Sequence, residues 1–151
     1  MNTRADVEGF LSQGAIAAVG VSRDPKAFSV MAYRELKGKG KRVYPVNPNA
    51  RTIGEDACYP SIAEVPEKVG AVLVLTPPAQ SAGVVQEAAR RGIRHVWLQQ
   101  GTVSGEALAL CEREKLSAVA GKCIMMFAEP VASFHGVHRW FARVFGQIPR
   151  A

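Results

Sequence analysis

Short apolar, β-branched runs alternate along the chain with stretches of helical period, and glycine, proline or asparagine stands at nearly every junction. The runs extend from Ala15 to Val21, Arg42 to Val46, Ala71 to Leu75, His95 to Leu98 and Ser117 to Ala120. They are continuous rather than alternating, the pattern of strands buried on both faces, and so predict a parallel sheet covered by helices. Between the first two runs Val30, Tyr33 and Leu36 recur at helical spacing until Gly38 and Gly40. Ser61-Ile-Ala-Glu64 has capping-box spacing and predicts a short helix. Pro78 to Arg91 places Ser81, Val84, Val85, Ala88 and Ala89 on one face before Gly92, and Ser104 to Lys115 makes a further crossover. A leading helix is expected from about Asp6 to Ser12, ended by Gly14.

This β-α-β rhythm predicts a three-layer α/β/α, Rossmann-like architecture with a five- to six-stranded, mainly parallel sheet. In such sheets ligands bind beyond the carboxyl ends of the strands, where the strand order reverses. Function is therefore expected in four loops: Gly20-Val-Ser-Arg-Asp-Pro-Lys-Ala-Phe-Ser29, Pro45-Val-Asn-Pro-Asn49, Thr76-Pro-Pro-Ala-Gln80 and Gln99-Gln-Gly-Thr102.

The first loop has the makings of a phosphate cradle. Gly20 permits close approach to the backbone, the following helix offers unpaired N–H groups near Ser29, Ser22 adds a hydroxyl, and Arg23 and Lys26 add charge. A purely structural reading, in which Gly20 relieves a tight turn and Asp24-Pro25 forms another, stands beside it. The loop lacks G-x-G-x-x-G, and the second strand ends in Pro45-Val-Asn-Pro without an acid for a ribose hydroxyl, which disfavours NAD. No Walker motif is present, so ATP hydrolysis has no support.

Length and composition narrow the picture. The 151 residues suffice for one core, and 19 basic against 13 acidic residues give a net charge of +6, suited to an anionic ligand, a nucleic acid or an acidic partner. No apolar run reaches membrane-spanning length, and the polar, acidic start is unlike a secretory signal. Cys58, Cys111 and Cys123 form no C-x-x-C pair and suggest neither disulfides nor a metal site. A cytoplasmic protein without metal is expected.

Val19-Gly-Val-Ser-Arg-Asp-Pro25, Tyr44-Pro-Val-Asn-Pro48 and Val96-Trp-Leu-Gln-Gln-Gly101 together resemble the small bacterial CoA-binding-domain family, from about Leu11 to Met126. That family is similar to the CoA-binding domain of the succinyl-CoA synthetase alpha subunit. The resemblance implies a Rossmann-like fold with coenzyme A, or an acyl-CoA, lying across the strand-to-helix loops. It implies a phosphate turn at Gly20, Val21, Ser22 and Arg23, completed by Lys26 and Ser29, with Asn47 and Pro48 flanking the nucleotide. Thr76, Pro77 and Pro78 would pass beside the ligand, and Gln99, Gln100 and Gly101 would form the last CoA loop.

The synthetase depends on a second domain bearing a phosphorylated histidine. His95, His135 and His138 are not expected to replace it, and His95 falls at the strand end away from the ligand. The reading is of non-catalytic binding, with no catalytic residue named. Cys123 lies just after the last strand, on the ligand's edge, where the family has a similar cysteine; burial is its simpler role. The Lys37, Lys39, Lys41, Arg42 cluster falls on the opposite edge and is expected to complement a helix C-terminus rather than nucleic acid.

Residues 1–128 are read as the CoA-binding domain and 129–151 as a helical extension packed on it. Phe134, Val137, Phe141, Val144 and Phe145 fall on one helical face of that extension, with Arg139 and Arg143 away from it. A homodimer or protein contact through this helix is a second reading of it, and binding to a membrane is not expected. The alternatives to CoA binding are a nicotinamide- or other nucleotide-dependent enzyme and a protein-interaction module acting through the basic C-terminal helix.

Overall fold

The computed structural model describes residues 1–127, and the expected C-terminal helix lies outside them. Helices α1 (Arg4–Leu11), α2 (Phe28–Gly38), α3 (Pro78–Arg90) and α4 (Gly105–Arg113) alternate with strands β1 (Ala15–Val19), β2 (Arg42–Val46), β3 (Thr52–Ile53), β4 (Asp56–Ala57), β5 (Ala71–Val74), β6 (His95–Gln99) and β7 (Ser117–Lys122). The five long strands form one parallel sheet in the order β2-β1-β5-β6-β7. All five were legible as apolar runs, because a strand covered on both faces has no solvent side to make polar; β5 is buried at every position.

Two apolar layers hold the helices to the sheet. On one face Phe10 of α1, Tyr33 and Leu36 of α2, Trp97 of β6 and Phe127 share a cluster. Trp97 stands between Phe10 and Phe127 in edge-to-face contact at 5.3 and 5.1 Å, and its Nε1 donates to the Lys122 carbonyl at 2.9 Å. On the other face Val85 of α3 and Leu110 of α4 pack on Val72, Val96 and Leu98.

Both sheet edges are covered. Pro45 lacks an N–H, which restricts it to an edge strand such as β2. Its carbonyl accepts from Tyr59 N, and Asn47 N donates to the Tyr59 carbonyl, so the returning chain closes that end of the edge. At β7, Asn2 N donates to the Ala118 carbonyl and Asn2 Oδ1 accepts from Ala120 N.

Several local expectations needed correction. The leading helix begins at Arg4, earlier than expected, because Thr3 and Asp6 form a capping box. The segment after Ser61 is only a 3-10 turn, Ile62–Glu64, and Ser61 makes no cap hydrogen bond. The β3–β4 hairpin was not foreseen; its two-residue turn has Gly54 at φ +60°, the sign a II′ turn needs at its first central position. Within the basic cluster Lys37 lies in the last turn of α2, as expected, and Lys41 serves the end of α1, where its Nζ donates to the Leu11 and Gln13 carbonyls. Lys37 also pairs with Asp56, Lys39 with Glu35 and Arg42 with Glu67.

Candidate functional site at the carboxyl edge of the sheet

The strand order reverses between β1 and β5. The chain leaves β1 toward α2 and β5 toward α3, which lie on opposite faces of the sheet, and the crevice between these exits is the expected ligand position. Gly20 marks its floor. It has φ +98°, and a Cβ there would stand 2.8 Å from Thr76 N and 2.9 Å from the Leu75 carbonyl carbon. Its own N–H continues the β2 ladder by donating to the Val46 carbonyl.

Beyond Gly20 the loop is wired to itself. Ser22 N donates to Ser29 Oγ at 2.9 Å, Asp24 N to Ser22 Oγ at 3.0 Å, and Lys26 N to Asp24 Oδ1 at 2.9 Å. Asp24 thus spends its carboxylate on the turn, while Arg23 and Lys26 stay exposed and make no ion pair among the described residues. Asn47 clasps this loop to the exit of β2: its Nδ2 donates to the Val21 carbonyl at 2.9 Å and its Oδ1 accepts from Asn49 N at 2.8 Å.

The helix N-termini divide into two kinds. α1 and α4 begin with side-chain caps, Thr3 and Ser104, and carry Asp6 and Glu106 in their first turns. α2 and α3 have Ala27 and Pro77 at the N-cap, with no side-chain cap and no acid in the first turn. These are the two helices that start at the crevice. The N–H groups of Phe28 and Ser29 find no acceptor among the described residues. Neither positive dipole end meets a side-chain cap or a first-turn acid, and Arg23 and Lys26 stand beside one of them, an arrangement suited to an anion.

A buried hydroxyl latch holds the remaining loops. Ser81 Oγ donates to the Thr102 carbonyl at 2.6 Å and lies 3.3 Å from Thr76 Oγ1, while Thr102 Oγ1 donates to the Gln99 carbonyl at 2.8 Å. Gln99 Oε1 accepts from Ile124 N at 2.9 Å. Thr76 and Gln99 are buried in this network, as is Val21 in the core. Pro48, Pro77, Pro78, Gln100 and Gly101 are exposed; Ser22, Ser29 and Asn47 are half-buried. The sequence reading saw Ser81 only as a small residue on a packing face, and Thr102 only as the end of the last loop.

Other chemistry is remote or quiet. His95 opens β6 at the opposite edge, its Nδ1 buried without a partner and its ring 2.8 Å from where a Gly9 Cβ would stand. Cys58 and Cys111 are buried, and burial pushes both thiols up, Cys111 to about 11. Cys123 is half-buried at the exit of β7. No group of His, Cys, Asp and Glu among the described residues could hold a metal, and no described helix is long and apolar enough to cross a membrane.

Two clefts, of about 420 and 390 Å³, lie away from the crevice. The larger flanks β2, and its charges already serve each other: Asp56 accepts from Lys37 and Tyr33, which hold its carboxyl below the usual range. The smaller lies among Ile62, Val65, Val69 and Ile93 at the other end of the sheet.

Comparison with known proteins agrees with this fold. A family model described as CoA binding domain matches residues 14–129. The chain is 30% identical to acetate–CoA ligase (ADP-forming) II of Archaeoglobus fulgidus over 97% of its own length but only 22% of the ligase's. Among solved structures, a hypothetical protein from Pyrococcus horikoshii superposes with TM-score 0.75 at 28% identity, over 95% of this chain and 93% of that one. The dinucleotide-forming acetyl-coenzyme A synthetase 1 of Ca. Korarchaeum cryptofilum superposes with TM-score 0.65 at 25% identity, over 76% of this chain and 28% of the synthetase. The chain thus spans about a fifth of the length of the curated relatives it matches.

Proposed function

The chain belongs to the CoA-binding-domain family, and from that premise we propose that it binds coenzyme A or an acyl-CoA at the β1–β5 crevice without itself catalysing a reaction. The observation that carries this reading is the pair of uncapped, acid-free helix N-termini at the crevice, the arrangement a pyrophosphate would neutralise. Phe28 and Ser29 N–H would donate to it, with Arg23 and Lys26 adding charge. The Ser29 hydroxyl already accepts from Ser22 N, which leaves its proton free to point outward.

The groups at the crevice support a non-catalytic role. Asp24 is engaged in its turn, Glu106 sits in the first turn of α4, and Cys123 is the one cysteine near the edge among the described residues. The ligase activity named for the Archaeoglobus relative belongs to a much longer chain and is not part of the proposal. A nicotinamide enzyme is the alternative, against which β2 ends in Val46-Asn47 with no acid for a ribose.

Calorimetric titration of the full-length protein with CoA, acetyl-CoA, NAD and ATP tests this. Micromolar binding limited to CoA species is expected. NAD binding, or no binding of any of the four, would overturn it.

A further inference from the structure

The carboxamide of Gln99 is only half used by the network that holds it. The residue is 4% exposed, and its Oε1 accepts from Ile124 N at 2.9 Å. A backbone N–H can only donate, so this bond fixes which end of the carboxamide faces Ile124 and turns Nε2 the other way. Nε2 finds no acceptor among the described residues. Nor is it sealed, because the side-chain nitrogen or oxygen that is buried without a partner among those residues is His95 Nδ1. Nε2 therefore keeps an opening at the carboxyl edge, on a side chain that is otherwise enclosed and held in place. A fixed donor of this kind is completed by an acceptor from outside the fold.

Its position ties it to the crevice. Gln99 closes β6, two residues after Trp97 and on the same side of the sheet, the side that carries α2. The 3-10 turn Ile124–Met126 that it holds lies against α2. The donor thus shares a side with the uncapped start of α2, and the sheet order sets β6 one and a half strand spacings from the β1–β5 crevice, about 7 Å at roughly 4.8 Å each.

The chemistry of the donor narrows the acceptor. In the CoA reading the phosphates go to the Phe28 and Ser29 N–H groups with Arg23 and Lys26, and a neutral carboxamide suits a neutral acceptor instead. Glutamine reads adenine by using its oxygen and its nitrogen together, and that mode is closed here because Oε1 is taken by Ile124 N. A donor alone matches an amide carbonyl, and the pantetheine arm carries its first amide a few bonds beyond the pyrophosphate. We infer that Gln99 Nε2 donates to an amide carbonyl of the pantetheine arm, and so makes the site select CoA over nucleotides that share only its adenine and phosphates. The inference rests on the CoA reading above and names the residue that reads the arm at that same site.

Titration of the full-length protein and of Q99M with CoA, and with ADP carrying a 3′-phosphate, which is CoA without its arm, tests this. Methionine has the length of glutamine but no donor. In Q99M the preference for CoA over the armless nucleotide is expected to fall about fivefold, the usual contribution of one neutral hydrogen bond. Equal weakening of both ligands would assign Gln99 a structural role only and overturn the inference, as would an unchanged preference. A second measurement needs no variant: the side-chain NH2 signals of Gln99, followed by NMR in the unaltered protein, should shift with CoA and stay in place with the armless nucleotide. Signals that move equally with both, or with neither, would contradict the inference and leave CoA binding standing, whereas absence of any CoA binding would overturn both readings.

Discussion

Gly20 and Thr76 meet across the gap where the strand order reverses: a Cβ on Gly20 would stand 2.8 Å from Thr76 N. The contact is between backbones, so no side-chain adjustment can relieve it, and the φ of +98° independently disfavours any residue with a Cβ. Gly20→Ala is expected to destabilise the fold by roughly 2–4 kcal/mol, from left-handed strain plus overpacking, and to abolish CoA binding. Denaturant unfolding of the variant measures the first and titration the second. Unchanged stability would mean that the two loops are not held in this close register.

Arg23 and Lys26 should behave in the opposite way. Both are exposed and without ion pairs among the described residues, so replacing them with Ala should shift stability by no more than about 0.5 kcal/mol. Loss of both charges should weaken CoA binding about tenfold or more at low salt, and by less at high ionic strength. A titration at two salt concentrations separates the charge contribution from any change in fold.

Asn47 is predicted to act through the loop it holds. Asn47→Ala frees the Val21 carbonyl and Asn49 N, at a cost of about 1–2 kcal/mol. Asn47→Asp keeps acceptance from Asn49 N, loses donation to the Val21 carbonyl and brings a negative charge toward the anion site. It should therefore impair CoA binding more than Asn47→Ala does, whatever the order of their stabilities. The reverse order of affinities would assign Asn47 no electrostatic bearing on the site.

Strand positions were legible because continuous apolar runs admit few other readings, and with them the loops that leave the carboxyl ends of the strands. The division of labour within the loops was not. Gln99 and Thr76 read as ligand contacts from the sequence, and their side chains also engage the protein, Gln99 Oε1 with Ile124 N beyond β7 and Thr76 Oγ1 with Ser81 Oγ in the first turn of α3. Ser81 looked like packing and is the hub of the latch. Such roles depend on contacts between residues distant in the chain, as with Ser81 and Thr102, and no local pattern encodes them. The β3–β4 hairpin escaped notice because two-residue strands are too short to show alternation.

Acid should loosen the cap of the N-terminal helix as pH falls from about 4 toward 2. Burial works to raise the Asp6 carboxyl, but hydrogen bonds from the Thr3 side chain and backbone, Ser117 and the chain's N-terminus outweigh it and hold the pKa down at about 2, below the usual carboxylate range. A carboxyl with a depressed folded-state pKa adds stability above its unfolded value and loses it as pH falls toward the folded one. Melting curves of the protein and of Asp6→Asn should differ most above pH 4 and converge toward pH 2. A difference that persists unchanged at pH 2 would contradict this account of the cap.

The location of the ligand is the central claim, and amide chemical shifts followed by NMR during a CoA titration test it most directly. Shifts concentrated at Val21 to Ser29 and at Thr76 to Ser81, the two loops of the crevice, are predicted. Shifts centred instead on Tyr33, Asp56 and Tyr59, around the cleft beside β2, would contradict it.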